Sequence, residues 1–295
     1  MRNLVLQGGG VHGYALIGAV EELSLKRVKR FAGASVGALL AFALVCGKKP
    51  REIFDKVVEI DKKMLTGSRS WLYAAYCFLK HWGFYSSSNV KKWMRRTLCE
   101  WIGDDKITFA QSKQRFKKEI HVVVTSVGHA DSLVISHLNY PDMQVVDALA
   151  MSMNIPLFYK PIRFENDLIC DGGFINNTPL HVFDNERNGY FNRHTLALCS
   201  LTDDELKLAT SREDGQAVPV NSLLEYCKRL IHMIFEYASR NYDREQDDER
   251  QIIVRVGNVW PFDFDLSLDA KQKLYDCGRQ SVIDAIAVPH SKSSL

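Results

Sequence analysis

The sequence predicts an α/β fold in which a mixed or parallel sheet is covered by helices on both faces. The first observation is that short apolar segments suited to strands alternate with longer segments of helical periodicity, an order typical of strands joined by crossover helices. The second is that 46% of the 295 residues are hydrophobic, enough for a large buried core. The third is the absence of an internal repeat or a long linker. We therefore expect one domain over residues 1–290 and a flexible Ser-rich tail at 291–295.

The first hundred residues are predicted to contain two strands and four helices. Tyr14, Ile17 and Val20 recur at helical spacing on one side of the first helix. The second helix is apolar on most faces and is closed by Gly47. The predicted elements are, in order, strand 3–7, helix 13–26, strand 28–32, and helices 36–46, 51–65 and 89–102.

The rest of the chain repeats the alternation at wider spacing. A turn over residues 128–131 separates two strands, and Pro156 follows the end of a short helix. An acidic, polar stretch at 203–219 predicts a surface loop. The other predicted elements are strands 121–126 and 132–137, helix 145–153, strand-like segments 158–164 and 168–170, strand 195–201, a long amphipathic helix 220–242, strand 251–256 and helix 267–286.

Two glycine motifs near the amino terminus point to chemistry at a serine. Residues 33–37 read Gly-Ala-Ser-Val-Gly between a predicted strand and a predicted helix, the setting of a nucleophile elbow with Ser35 at its tip. Its flanking glycines are Gly33 and Gly37. Residues 8–13, Gly-Gly-Gly-Val-His-Gly, place backbone N–H groups at a helix start, where an oxyanion can bind. Two alternatives stay open: a helix N-cap at Ser35, and a dinucleotide fingerprint at 8–13 that lacks its acidic partner.

Asp171 is the candidate base for this serine. Ordinary α/β-hydrolases place several strands before the nucleophile and a histidine after it, whereas one strand and one helix precede Ser35. Asp171 ends a predicted strand, and Gly172 and Gly173 allow the backbone to turn sharply after it. A carboxylate there could accept the hydroxyl proton directly, as a Ser–Asp dyad. The alternative is a plain surface turn.

The chain resembles the patatin-like phospholipases, a family of lipid acyl hydrolases that use a Ser–Asp dyad. Four stretches carry the resemblance in the family's order: GGGVHG at 8–13, GASVG at 33–37, AMSMNIPLFYKP at 150–161 and DGGFINNTPL at 171–180. The resemblance implies a patatin-like three-layer α/β fold, with helices on both faces of a central, mostly parallel sheet. It also implies cleavage of fatty-acyl esters of phospholipids or lysophospholipids through an acyl-serine, with no cofactor and no metal.

By this resemblance Ser35 is the nucleophile and Asp171 the general base. The implied oxyanion hole lies at the first glycine motif and comprises Gly8, Gly9, Gly10 and Gly13. Of these, the N–H groups of Gly9 and Gly10 are the best candidates. Where the family commonly has Arg or Lys, this chain has His12, which is charged only at lower pH, so we expect it to tune the rate rather than enable it. Two other functions remain open: a neutral-lipid lipase on the same dyad, and a non-catalytic lipid-binding protein of this fold.

An aromatic and basic segment is the predicted membrane contact. Seven aromatic residues fall within residues 71–85, and no acidic residue occurs between Gly67 and Cys99. This combination suits a peripheral segment that meets anionic lipid, and a core helix pair with a solvated basic face is an equal alternative. The candidate contact residues are Trp71, Trp82, Lys91, Lys92, Trp93, Arg95 and Arg96.

Composition and residue spacing limit the binding partners and the cellular compartment that we expect for this protein. A net charge of +3 gives no support for nucleic-acid binding, and the seven cysteines and nine histidines lack the spacing of metal ligands. Widely spaced cysteines favour free thiols in a reducing compartment. A strand begins at residue 3 and the longest apolar run is 38–46, so neither a signal peptide nor a membrane span is predicted. We expect a cytoplasmic protein that acts on phospholipid peripherally, at membranes or lipid droplets.

Overall fold

The computed structural model describes residues 1–67, 70–184, 191–213, 219–223, 225–226, 229–230, 233 and 245–287. Strands within this part of the chain are β1 Asn3–Leu6, β2 Arg30–Ala34, β3 Gly83–Tyr85, β4 Glu119–Ser126, β5 Asp131–Ser136, β6 Leu157–Tyr159, β7 Ile162–Phe164, β8 Asp167–Asp171, β9 Thr195–Leu201 and β10 Gln251–Arg255. Helices are α1 Gly13–Glu21, α2 Val36–Val45, α3 Pro50–Val57, α4 Lys62–Thr66, α5 Trp71–His81, α6 Ser88–Ile102, α7 Phe109–Phe116, α8 Val145–Ser152, α9 Asp203–Glu213 and α10 Leu268–Ala287.

A central, mostly parallel sheet organises the fold, as predicted. Its strands follow the order β10-β9-β1-β2-β4-β8-β7, and β5 also pairs with β4. The pairings from β10 through β4 are parallel, whereas β5, β7 and β8 form antiparallel pairs. A second, parallel sheet contains only β3 and β6.

Strand β4 is the point at which two other strands meet end to end. β2 pairs with its first half, up to Ala34 opposite Val123, and β8 pairs with its second half, beginning with Asp171 opposite Val124. β5 pairs with residues 121–126, so β2 and β8 must share the other edge. Because β2 runs parallel to β4 and β8 runs antiparallel to it, the carboxyl ends of β2 and β8 face each other across one residue step.

The two faces of the sheet have separate cores. On β1, Leu4 and Leu6 belong to the larger apolar cluster with the helices, whereas Val5 faces a smaller cluster that includes Leu180 and Phe183. This alternation follows from the two-residue period of a strand. On the larger side α1 packs closely against α10, where a Cβ on Gly18 would lie 1.9 Å from the Tyr275 carbonyl oxygen. The carboxyl-terminal helix is therefore part of the same core as the amino-terminal motifs.

Several elements differ from the predictions because of helix caps. The predicted loop at 203–219 begins with helix α9, since Thr202 and Glu205 form a reciprocal capping pair. The predicted helix at 51–65 is two helices, because Asp61 caps a new one through Met64 N–H. Helix α7, which was not predicted, starts at a similar capping box between Thr108 and Gln111.

Two predicted segments fall outside the described residues. The tail at 291–295 is one of them, and most of the predicted helix at 220–242 is the other. In the part of the chain that the structure describes, no helix combines the length and the apolar character that crossing a membrane requires.

Candidate active site

Ser35 lies at a strained turn between β2 and α2. Its backbone angles are φ 52° and ψ −130°, in a region that L-residues rarely adopt. Ser152 holds the turn: its Oγ accepts a hydrogen bond from Ser35 N–H at 2.8 Å and donates one to the Val123 carbonyl at 2.6 Å. The buried Ser152 thus ties the turn to β4, a role that the sequence motif around it did not reveal.

The two glycines of the elbow permit close packing of α2 on the sheet. A Cβ on Gly33 would lie 2.5 Å from the Gly37 carbonyl carbon, and a Cβ on Gly37 would lie 2.2 Å from the Leu6 carbonyl oxygen. Neither position accommodates a side chain without moving backbone. The motif therefore brings the start of α2, and the positive end of its dipole, directly under Ser35.

The structure places Ser35 in contact with Asp171. Ser35 Oγ donates a hydrogen bond to Asp171 Oδ2 at 2.6 Å, and Asp171 Oδ1 accepts one from Gly173 N–H at 2.8 Å. The second bond caps a short 3-10 turn, so Asp171-Gly172-Gly173 is a buried cap rather than a surface turn. Gly172 is required by close approach, since a Cβ there would lie 2.1 Å from the Val123 carbonyl oxygen.

Burial sets the acidity of Asp171. The residue is 5% exposed, and the loss of hydration raises the pKa of its carboxyl group to about 7. The hydrogen bonds from Ser35 and Gly173 act in the opposite direction, because they stabilise the carboxylate. A carboxylate with a pKa near 7 is a stronger base than an exposed aspartate and can accept a proton from a neighbouring hydroxyl.

The first glycine motif turns sharply beside Ser35. Gly8, Gly9 and Gly10 line a cavity of about 100 Å³ together with Ser35 and Asp171. Gly10 has φ +53°, and a Cβ there would lie 2.1 Å from the Pro261 carbonyl oxygen. The turn therefore requires glycine for both its backbone angle and its packing.

The N–H groups of this turn are unequal as oxyanion donors. Gly8 N–H already donates to the Asn177 carbonyl at 3.2 Å, and Gly13 N–H is bonded to the carbonyls of the preceding turn. This corrects the expectation that all four glycines could serve. Among the described residues, the N–H groups of Gly9 and Gly10 have no acceptor. These two are the donors that a bound oxyanion could use.

His12 is a buried, structural neighbour of the site. Its Nε2–H donates to the Val259 carbonyl at 2.8 Å, and its Nδ1 lies 3.0 Å from Ser200 Oγ. Burial lowers the pKa of His12, although the Val259 carbonyl and Glu205 partly oppose this. The ring is therefore neutral at neutral pH and does not supply the positive charge of an Arg or Lys.

A loop from the carboxyl-terminal third completes the cavity, and sequence analysis missed it. Trp260, Pro261 and Phe262 line the wall opposite Ser35, and Val11 N–H donates to the Pro261 carbonyl at 2.9 Å. Its proline and aromatic residues are a weak signal, since such clusters also occur in ordinary cores.

Two apolar cavities adjoin the polar one. A narrow cavity of about 80 Å³ runs from Ser35 between α1 and α2, past Leu39 and Tyr14. A wide groove of about 950 Å³ lies on the other side, with Leu157, Phe158 and Phe264 in its wall. Ser35 lines the polar and the narrow cavity, and Ile155 lines all three, so the wide groove adjoins the cavity of Ser35 at Ile155.

The predicted membrane contacts do not form one surface. Trp93 is 3% exposed and packs in the core, which corrects its assignment. The basic residues of α6 largely bind acids of this chain: Lys91 and Arg95 contact Asp147.

The other members of this set differ in exposure. Arg96 contacts Glu59 and Glu100. Trp82 is 57% exposed, and Lys92 is exposed without an ion pair to a described residue. Trp71 begins α5, and its side chain lies outside the described part of the structure.

Comparison with known proteins identifies similar chains. A family model described as patatin-like phospholipase matches residues 4–184. A probable lipid hydrolase of Invertebrate iridescent virus 6 is 29% identical over 245 residues, which cover 81% of this chain and 76% of that protein. An uncharacterized protein of Acanthamoeba polyphaga mimivirus is 26% identical over 291 residues, 96% of this chain and 92% of that one.

A solved structure shares the fold. VipD from Legionella pneumophila superposes with a TM-score of 0.60 at 15% sequence identity, over 96% of this chain and 66% of that chain. At this identity the similarity concerns the fold alone.

Proposed function

The chain belongs to the patatin-like phospholipase family, and from this premise we propose that it hydrolyses fatty-acyl esters of phospholipids or lysophospholipids through Ser35 and Asp171. The observation that carries the proposal is the 2.6 Å hydrogen bond from Ser35 Oγ to a buried carboxylate whose pKa is about 7. A serine hydroxyl is a weak nucleophile until a base removes its proton, and Asp171 is a base of suitable strength in direct contact.

In the first half of the proposed reaction, Ser35 Oγ attacks the ester carbonyl carbon while Asp171 Oδ2 takes the hydroxyl proton. Negative charge then develops on the former carbonyl oxygen, where the N–H groups of Gly9 and Gly10 would stabilise it. The intermediate collapses as Asp171 returns the proton to the leaving alcohol oxygen. The products of this half are the free alcohol, a lysolipid for a two-chain substrate, and an acyl ester on Ser35.

In the second half, water attacks the acyl carbon and Asp171 takes one of its protons. The second tetrahedral intermediate uses the same two N–H groups, because the oxyanion forms at the same place. Asp171 then protonates Ser35 Oγ as the fatty acid leaves. The same carboxyl group thus acts as base and acid in both halves, so the proposed mechanism requires neither a cofactor nor a metal.

A fluorophosphonate reagent and a lipid panel test this proposal. We expect the wild-type protein to be labelled, and Ser35→Ala and Asp171→Asn to lose both labelling and hydrolysis. Ser281→Ala, on α10 and remote from the cavity, is the matched control and should behave as wild type. Retained hydrolysis in Ser35→Ala would contradict the mechanism.

The products on the panel separate the alternatives. Fatty acid released from phosphatidylcholine and lysophosphatidylcholine supports the proposed substrate class. Release from triacylglycerol alone would instead support a neutral-lipid lipase. Lipid binding without labelling or product would support a non-catalytic lipid-binding protein.

A further inference from the structure

An exposed apolar surface lies beside the wide groove. We call it the apolar face, and it comprises Leu72, Tyr76, Leu79, Trp82, Phe84 and Leu157. The largest exposed fractions in this set are 80% for Leu79, 64% for Leu72 and 60% for Leu157. Single exposed apolar residues are common on soluble proteins, but a contiguous group of this size marks an interaction surface.

The secondary structure brings these residues together. Leu72, Tyr76 and Leu79 share one side of α5, whose other side buries Ala74 and Cys77. The helix runs directly into β3, and β3 pairs with β6 so that Gly83 lies opposite Leu157. Trp82 and Leu157 are therefore neighbours at the end of the small sheet.

Two residues of the apolar face have unfavourable backbone angles. Trp82 has φ 61° and Leu157 has φ 65°, in the left-handed region where glycine or asparagine is the usual choice. Both residues therefore combine a strained backbone with an apolar side chain that is exposed to water. Such strain is concentrated at functional surfaces.

The apolar face is continuous with the groove that adjoins the cavity of Ser35. Aromatic rings connect the two: the Phe84 and Tyr85 centroids are 6.3 Å apart, and those of Tyr85 and Phe158 are 5.0 Å apart. Phe158 and Leu157 line the groove, and Ile155 lines both the groove and the cavity of Ser35. The groove and the cavity of Ser35 also share Pro156 and Phe262, so apolar side chains form the boundary between them.

The charges around the apolar face suit a lipid surface. The sequence from Gly67 to Cys99 has no acidic residue, and Lys80 lies beside Tyr76 with its Nζ 5.5 Å from the ring centroid. Asp265, at the lip of the groove, forms an ion pair with Lys62. Lys80 and the ion pair of Asp265 with Lys62 favour anionic or zwitterionic head groups, whereas Asp263 is a further acidic side chain in the wall of the groove.

We propose that the apolar face docks on the surface of a phospholipid bilayer and that acyl chains enter the groove from there to reach Ser35. This inference rests on the proposed function, because the groove adjoins the cavity of the proposed nucleophile. It replaces the basic side of α6, whose charges are largely paired within the chain, as the membrane-contacting surface. Insertion of Trp82 and the leucines into the bilayer would transfer their exposed apolar surface from water to hydrocarbon, which is favourable.

The test compares Leu79→Ser and Trp82→Ser with Leu268→Ser, a control at a leucine on α10 whose exposed fraction, 65%, lies between the 80% of Leu79 and the 57% of Trp82. Each protein is sedimented with vesicles of phosphatidylcholine and phosphatidylserine, and assayed on those vesicles and on a water-soluble short-chain ester. We expect each variant of the apolar face to lose vesicle binding and vesicle hydrolysis about tenfold, while its rate on the soluble ester is unchanged. The control should keep all three properties.

Three outcomes would overturn the inference. One is unchanged vesicle binding in the double variant Leu79→Ser/Trp82→Ser. Another is an equal loss of the soluble-ester rate and of thermal stability, which would indicate a structural role. The third is a wild-type dimer that the variants convert to a monomer with full vesicle activity, which would assign the face to self-association.

Failure of the proposed function would give a different result. In that case the wild type would hydrolyse neither substrate, while vesicle binding would still report on the apolar face.

Discussion

At the scale of single residues, Asp171 has to satisfy two opposed requirements. The proposed mechanism needs it ionised, whereas its burial favours the neutral form and raises its pKa to about 7. Ser35 and Gly173 offset part of this cost by donating hydrogen bonds to its two oxygens. Ser35 is held in turn at a strained φ by the bond from its N–H to Ser152. The site is therefore kept in place by its neighbours rather than by local preference.

The pKa of Asp171 predicts the pH dependence of hydrolysis. Only the carboxylate can accept the Ser35 proton, so kcat/KM on a soluble ester should rise with pH through a midpoint near 7 and level off above it. Ionisation of a carboxyl group absorbs little heat, whereas ionisation of imidazole absorbs much more. We therefore expect the midpoint to stay nearly constant when the profile is repeated at a higher temperature.

A histidine base would give a different profile. A rising limb near neutral pH does not by itself indicate a triad, because Asp171 alone accounts for it. A midpoint that falls on warming, together with loss of the limb in His12→Ala or His181→Ala, would contradict assignment of the limb to Asp171.

At the scale of elements, the site is where two strands and two loops meet. β2 and β8 end face to face on β4, which delivers Ser35 and Asp171 to one point. The glycine turn after β1 and the loop at 257–264 after β10 then form the polar cavity around them. His12 joins this loop to the turn through the Val259 carbonyl, so we expect it to affect the proposed reaction by holding the turn in place rather than by its charge.

Replacing His12 tests this link between the two loops. His12→Ala leaves the half-buried Val259 carbonyl without its donor, so we expect the free energy of unfolding to fall by about 1–3 kcal/mol. Displacement of the turn should lower kcat/KM by roughly tenfold, in line with modest misplacement of a site. Denaturant unfolding and steady-state kinetics measure the two effects.

His194→Ala, at an exposed histidine, is the matched control and should be neutral. Complete loss of hydrolysis in a folded His12→Ala protein would show that His12 takes part in the chemistry. Stimulation of the wild type by acid would contradict the assignment of a neutral ring.

At the scale of the whole molecule, β9, β10 and α10 pack into the same sheet and core as the motifs. β9 pairs directly with β1, and β10 pairs with β9. Helix α10 packs on α1 at a distance that only glycine permits at Gly18 and Gly278. We propose on these grounds that residues 1–290 form one domain, although the family model matches only 4–184.

Truncation tests that proposal. A fragment of residues 1–184 would expose the faces of β1 and α1 that β9 and α10 cover, so we expect it to lack a cooperative thermal transition and fluorophosphonate labelling. A protein ending at residue 290 should match the full chain in both measurements. A stable, labelled 1–184 fragment would show that the family-matched region is a domain by itself.

Local sequence signals predicted the first strands and helices correctly but missed helices further along the chain. The alternation of strands and helices from β1 to α2 was predicted correctly because strand periodicity and glycine closure act within a few residues. Capping boxes at Thr202 and Thr108 were present in the sequence but overlooked, so α9 and α7 were missed. Burial of Trp93 agrees with the alternative of a core helix with a solvated basic face, since the apolar side of α6 packs in the core.

Short motifs in the sequence were enough to identify the glycine-rich turns of the site. These are the elbow at Ser35 with its two glycines, the turn at residues 8–13, and the sharp turn after Asp171. The tertiary structure was needed to show three further features: Ser35 and Asp171 touch across 136 positions, Gly9 and Gly10 N–H have no acceptor among the described residues, and residues 260–262 line the cavity. The physical reason is that strand order and register, not local preference, set which distant ends meet, and both depend on how the whole core packs.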